Sequence, residues 1–153
     1  MKKIMIFFAI VVIIISGIFY LYLNYKAEYN VSKKANLEFE KYLNEEVYGT
    51  DLATIINRAV DNNHKNEVER NNKGIYINND QNSINMEIKI TDNDTIYQME
   101  TFYNKGIQNF INNFGNIKFK CVDIKYHKST NKVKYLLFEQ ISEWKVINLT
   151  SIG

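Results

Sequence analysis

From Ile4 to Leu23 the chain runs twenty residues without a charge, dominated by Ile, Val, Phe and Leu and interrupted by Ser16, Gly17, Tyr20 and Tyr22. As a helix this run spans about 30 Å, the thickness of a bilayer's hydrocarbon core. A cleaved signal peptide has a shorter apolar region and a small-x-small motif after it. Here Ser16 and Gly17 fall in mid-run and no such motif follows Leu23, so residues 1–23 read as an uncleaved anchor. Tyr20, Tyr22 and Tyr25 stand where an aromatic belt meets headgroups. Lys2 and Lys3 abut the run, whereas Lys33 and Lys34 lie well beyond it, which predicts a single pass with the N-terminus inside and the remainder outside.

Past the run, Val31, Ala35, Phe39, Tyr42, Leu43 and Val47 recur at helical spacing. No Pro or Gly lies between Ile18 and Tyr48, so residues 24–48 read as an amphipathic stalk continuing the anchor helix until Gly49 stops it. A single helix from Ile4 to Val47 would be on the order of 65 Å long; Asn24 and Asn30 are the alternative places for a break.

Residues 49–153 read as one small α+β domain. Thr50 as cap, Asp51 in the first turn and the spacing of Leu52, Ile55, Ile56, Ala59 and Val60 predict a helix ended by Asn62 and Asn63. Ile75, Tyr76 and Ile77 form a short strand between Gly74 and Asn78, Asn79 and Asp80. The clearest strand alternates Ile84, Met86, Ile88 and Ile90 with Asn85, Glu87, Lys89 and Thr91. Asp92, Asn93 and Asp94 turn the chain, and Thr95 to Met99 pairs back. Tyr103, Ile107, Phe110, Ile111 and Phe114 mark another helix, with Gly106 inside it and Gly115 at its end.

In the last third, Ile117, Phe119 and Cys121 share one alternation and Val122, Ile124 and Tyr126 the other, a phase slip that predicts a bulge near Cys121. Ser129, Thr130 and Asn131 turn into a strand from Val133 to Gln140, and Trp144 to Leu149 supplies an edge strand. The architecture expected is a small antiparallel sheet with helices on one face.

Composition narrows the partners. Lys and Arg number 19 against 17 Asp and Glu, and setting aside Lys2 and Lys3 leaves equal numbers, without the basic footprint of a nucleic-acid binder. The partners expected are membrane lipid along residues 4–23 and a protein or a second copy of the chain, and no nucleic acid. Cys121 is the sole cysteine, so no internal disulfide forms; Lys120 and His127 are the nearest residues that could activate it.

No constellation carries chemistry. His64 and His127 lack a second ligand at helical or hairpin spacing. Asp123 and His127 share a strand face about 13 Å apart, too far to share a proton. Asp92, Asn93 and Asp94 lack the Gly and distant Glu of a calcium loop, and adjacent Glu45 and Glu46 diverge on a helix. Gly74 follows Lys73 but belongs to no phosphate-binding run. The domain is therefore expected to be no enzyme, with no catalytic, metal-binding or cofactor-binding residues and no cofactor. Its aromatic residues read as core, with only Tyr97 and Phe102 undirected.

A charged start, an apolar span, an amphipathic stalk and a small α+β head together resemble type IV pilins and pseudopilins, including pilin-like components of tight-adherence and secretion systems in low-GC Gram-positive bacteria. Gly49, Thr50, Asp51 and Leu52, followed by Ile55, Ile56 and Asn57, are similar to a helix-opening phrase in such membrane-anchored proteins. The chain departs from pilins in having no acid within Ile4–Leu23 and no leader ending in Gly before the span. The resemblance implies a non-enzymatic component of a surface or secretion assembly. The alternatives are a membrane-tethered ligand-binding or accessory domain, which needs a concave pocket with convergent polar groups, and a secreted protein after cleavage.

Overall fold

A computed structural model describes residues 2–91 and 94–141 of the chain. The apolar run lies in helix α1 (Lys2–Glu40), 39 residues and about 58 Å long, which is long and apolar enough to cross a membrane. The helix ends seven residues short of Val47. Asn44 sits in the left-handed region (φ 64°), where Asn is tolerated next best after Gly. The chain there turns away to pair with Cys121, whose carbonyl accepts the Asn44 N–H at 2.8 Å. Val47 consequently lies in strand β1 (Glu46–Tyr48), not on the stalk.

Helix α2 (Gly49–Lys65) follows without a loop. Tyr48, not Thr50, holds the cap position, and no side chain caps it. The first N–H groups are instead taken by the Ile117 and Gly115 carbonyls, at 2.8 and 3.3 Å from Gly49 and Thr50. Leu52, Ile55, Ile56, Ala59 and Val60 are buried, as their spacing requires. The helix runs on past Asn62 because Asn63 turns inward instead of ending it.

Strands β2 (Asn85–Ile90) and β3 (Thr95–Gln98) form a hairpin; Asp92 and Asn93 of its turn lie outside the described residues. Two helices follow in place of one. Gly106, at φ 92°, separates α3 (Met99–Asn104) from α4 (Ile107–Phe114), and only glycine adopts that backbone readily. Strands β4 (Lys118–Tyr126) and β5 (Val133–Gln140) complete the sheet in the order β1-β4-β5-β2-β3. The register shifts between Cys121 and Asp123, at the expected bulge. The segment Trp144 to Leu149 lies outside the described residues.

The fold is α+β, with a mixed sheet: β5 pairs parallel to β2, while the other three pairings are antiparallel. The chain crosses over through α3 and α4 after β3 and returns one position away, leaving a central slot that β5 fills. In β5, Leu136 and Phe138 face the core while the intervening Leu137 is half-buried on the other face. Ile75–Ile77 is not part of this sheet. Tyr76 bridges only Arg70, because Gly74 (φ 76°) and the Asn71 side chain, accepting the N–H groups of Lys73 and Ile75, fold the segment into its own tight turn.

Met86, Ile88, Phe119, Cys121, Leu136 and Phe138 are fully buried and join the α2 stripe in one core, each large side chain worth about 1.5–3 kcal/mol of transfer free energy. The opposite face is mixed, with Leu137 and Ile96 beside Glu87 and Lys89. Glu87 there accepts hydrogen bonds from Gln98 Nε2 and Tyr135 Oη, both at 2.7 Å.

Candidate functional site

Helix α1 meets the domain through very few side chains. Within it only Ser32, Asn36 and Phe39 are buried, at one-turn spacing on one face. Ser32 Oγ donates to the Thr130 carbonyl at 2.9 Å. Asn36 Nδ2 donates to the Asn131 carbonyl at 2.7 Å while its Oδ1 accepts the Val133 N–H at 2.8 Å. The Asn36 amide thus presents to the start of β5 the donor and acceptor of a neighbouring strand. The expected stripe is corrected accordingly: Phe39 is buried, but Val31, Ala35 and Leu43 are exposed. Apolar periodicity alone missed this face because two of its three members are polar.

Beneath the turn that receives α1 lies His127, 2% exposed. Its Nε2 lies 2.8 Å from the Ser83 carbonyl, an acceptor, so Nε2 carries the proton and Nδ1 is left as a buried acceptor without a partner. The His127 N–H donates to Lys132 O, and its own carbonyl accepts from Asn131 N–H. Ser129 and Thr130 hydroxyls donate to the Asp80 and Gln81 carbonyls. Asn63 pairs with both backbone groups of Ile84, at 2.7 and 2.8 Å. Polar side chains therefore stitch α1, α2, the 78–84 loop and the 127–132 turn where the helix joins the domain.

Burial holds the His127 pKa below its ordinary 6.5; Lys134 and Lys132 act in the same direction, and the Ser83 carbonyl and Asp80 oppose it. The unfolded chain then takes up the proton more readily than the folded one. Stability is full above pH 6.5 and falls as the pH drops below it, by at most about 1.4 kcal/mol per pH unit from this group. Equilibrium unfolding at pH 7.5 and 5.5 should show the loss, and His127→Gln, which keeps a donor for Ser83, should flatten it. An equal slope in the variant would assign the pH dependence elsewhere.

A second feature is a cleft of about 240 Å³ beside α3 and α4, walled by Ile90, Tyr97, Phe102, Phe110 and Phe114. It gives Tyr97 and Phe102 their direction, with ring centroids 5.4 Å apart and the Phe102 ring tilted against Phe110 at 4.7 Å. Its polar rim is spent locally: Asn109 and Asn113 amides donate to the Lys105 and Asn109 carbonyls. The cleft is smaller than the roughly 300 Å³ at which small-molecule sites begin.

The other residues weighed for chemistry are separated. Cys121 is buried, and burial pushes its thiol up to about 11, so it is not a thiolate near neutral pH. Lys120 lies opposite Glu139, and His127 is committed to Ser83, so neither activates it. Asp123 pairs with Lys125 at 3.2 Å, and His64 lies 3.1 Å from the Arg70 guanidinium. Glu45 and Glu46 are in a turn and in β1, not on a helix, and Glu46 pairs with Lys118. Among the described residues no group of three or more His, Cys, Asp or Glu side chains is placed to hold a metal ion.

No family model, no curated protein and no solved structure matches the chain.

Proposed function

We propose that this chain is a membrane-anchored, non-enzymatic protein whose α+β domain is held outside the cytoplasm and works through protein contacts, as a pilin-like component of a surface or secretion assembly. The observation that carries the anchoring is α1 itself. From Lys2 to Val31 it buries no side chain within the chain, and Phe8, Ile13 and Leu21 are 61%, 70% and 67% exposed. An apolar rod of that length does not persist in water, because monomeric soluble domains rarely expose apolar patches beyond a few hundred Å². Helix geometry satisfies its backbone internally, the condition for lying in hydrocarbon.

The non-enzymatic reading is supported by how the reactive side chains are used. His127, Asn63 and Asn36 hold backbone groups, and Cys121 packs in the core. Val31 and Leu37, 61% and 56% exposed, are apolar side chains of α1 that the domain leaves uncovered. In fractionated cells the full-length chain should pellet with membranes, resist carbonate and high salt, and be released by detergent. Recovery of a soluble form lacking residues 1–23 would overturn the anchor in favour of a cleaved, secreted product.

A further inference from the structure

Between α1 and the 128–132 turn lies an open groove of about 610 Å³, walled by Tyr25, Glu28, Tyr29 and Ser32 on one side and by Thr130 and Lys132 on the other. Its height above the apolar run is set by the helix and by the hydrogen bonds tying Ser32 and Asn36 to the turn. Along the axis, Tyr25, Tyr29 and Ser32 lie about 3, 9 and 13 Å beyond Leu23. The polar layer on each side of the hydrocarbon is about 5–8 Å thick. With Leu23 at the hydrocarbon boundary, the groove opens at the level of the headgroups and the turn rests just above them.

The charges at this level are unbalanced. Lys26 on α1 and Lys128 and Lys132 on the turn make no ion pair among the described residues, against Glu28 as the one carboxylate on the groove wall, and Asp80 is joined to Lys134 at 3.5 Å. The Ser129 and Thr130 hydroxyl protons are spent on the 80–81 backbone, which leaves the lysines and the Asn131 amide as the turn's side-chain donors. Tyr25 and Tyr29, stacked with centroids 6.5 Å apart, suit a headgroup layer.

We propose that this end of the domain docks on anionic phospholipid headgroups, one of which occupies the groove with its phosphate toward Lys132. The inference rests on the anchored reading and adds to it a fixed posture of the domain on the membrane. Glu28 on the inner wall disfavours a phosphate beside it and so sets the phosphate at the Lys132 end. The attraction reaches about 8 Å at physiological ionic strength, so it acts only because the Ser32 and Asn36 bonds hold the turn this low.

Nitroxide labels at Gln81→Cys, on the exposed loop beside the turn, and at Ile13→Cys, within the apolar run, test this on the full chain in vesicles. In vesicles of equal parts phosphatidylcholine and phosphatidylglycerol, the Gln81 label should collide several-fold less often with a water-soluble nickel relaxant than in phosphatidylcholine alone. Lys128→Glu with Lys132→Glu should abolish that protection, and the double Arg variant should keep it. The Ile13 label should report hydrocarbon depth throughout. A fully water-exposed Gln81 label in the anionic vesicles, or protection indifferent to the Glu substitutions, with Ile13 still in hydrocarbon, would overturn the docking alone. An Ile13 label outside the hydrocarbon would overturn the anchor and the docking together.

Discussion

Replacing Gly49 with Ala should unfold the domain or lower its stability by about 3 kcal/mol or more, although it adds one methyl group. A Cβ at Gly49 would stand 1.9 Å from the Phe114 carbonyl oxygen and 2.6 Å from its carbon. Both are backbone atoms, so no rotamer change relieves the clash, and overpacking of this kind costs about 1–3 kcal/mol even where side chains can move. The neighbours have little freedom. The Gly49 N–H is bonded to Ile117 O, Thr50 N–H to Gly115 O, and Ile117 N–H to Phe114 O. Parting α2 from the end of α4 would break the bonds that substitute for the missing side-chain cap. Thermal unfolding of the full chain in mild detergent, followed by near-UV circular dichroism, checks this, with Gly17→Ala as control, since nothing lies within 4 Å of a Cβ there. A Gly49→Ala melting curve that overlays the wild type would show that the two helix ends do not meet as described.

The same glycine shows where the sequence is legible. Its position between two runs of helical spacing marks a boundary, but the reason only glycine fits is a contact with residue 114, far away in the chain. The α2 stripe, the β2 alternation and the bulge at Cys121 could all be read because each is a local pattern of buried apolar side chains. The parallel pairing of β5 with β2 could not, since it depends on what occupies the slot between β4 and β2. Nor could the junction around His127. Ser32, Asn36 and Asn63 are buried polar groups satisfied by distant backbone, and a reading that scores apolar periodicity assigns them to solvent. The left-handed Asn44 that turns the chain from α1 towards β1 had a local signal, an Asn flanked by Leu43 and Glu45, but in a chain so rich in Asn that signal is diluted.

Phe110→Asp should be as damaging as the Gly49 change for a different reason, loss of the packing that seats α4 on the sheet. Phe110 is 2% exposed, mid-way along an eight-residue helix of which it is the only fully buried side chain. Its ring lies 4.7, 5.2 and 6.2 Å from those of Phe102, Phe114 and Phe119. Truncating such a ring costs about 3–5 kcal/mol, a total that includes its aromatic pairs at about 0.5–1.5 kcal/mol each. A carboxylate in its place sits among aromatic rings and must keep its water, or its proton, at further cost. Against a total stability of about 5–15 kcal/mol, the sum leaves little or no folded domain at neutral pH. Phe110→Leu separates charge from cavity: it keeps an apolar side chain and should lower the melting temperature while preserving a cooperative transition. Lowering the pH to neutralise the new carboxyl should recover part of the Asp variant's folding relative to its own value at neutral pH. If Phe110→Asp instead melts with the wild type, α4 presents a different face to the sheet, and the aromatic cluster beside the cleft is not what holds it.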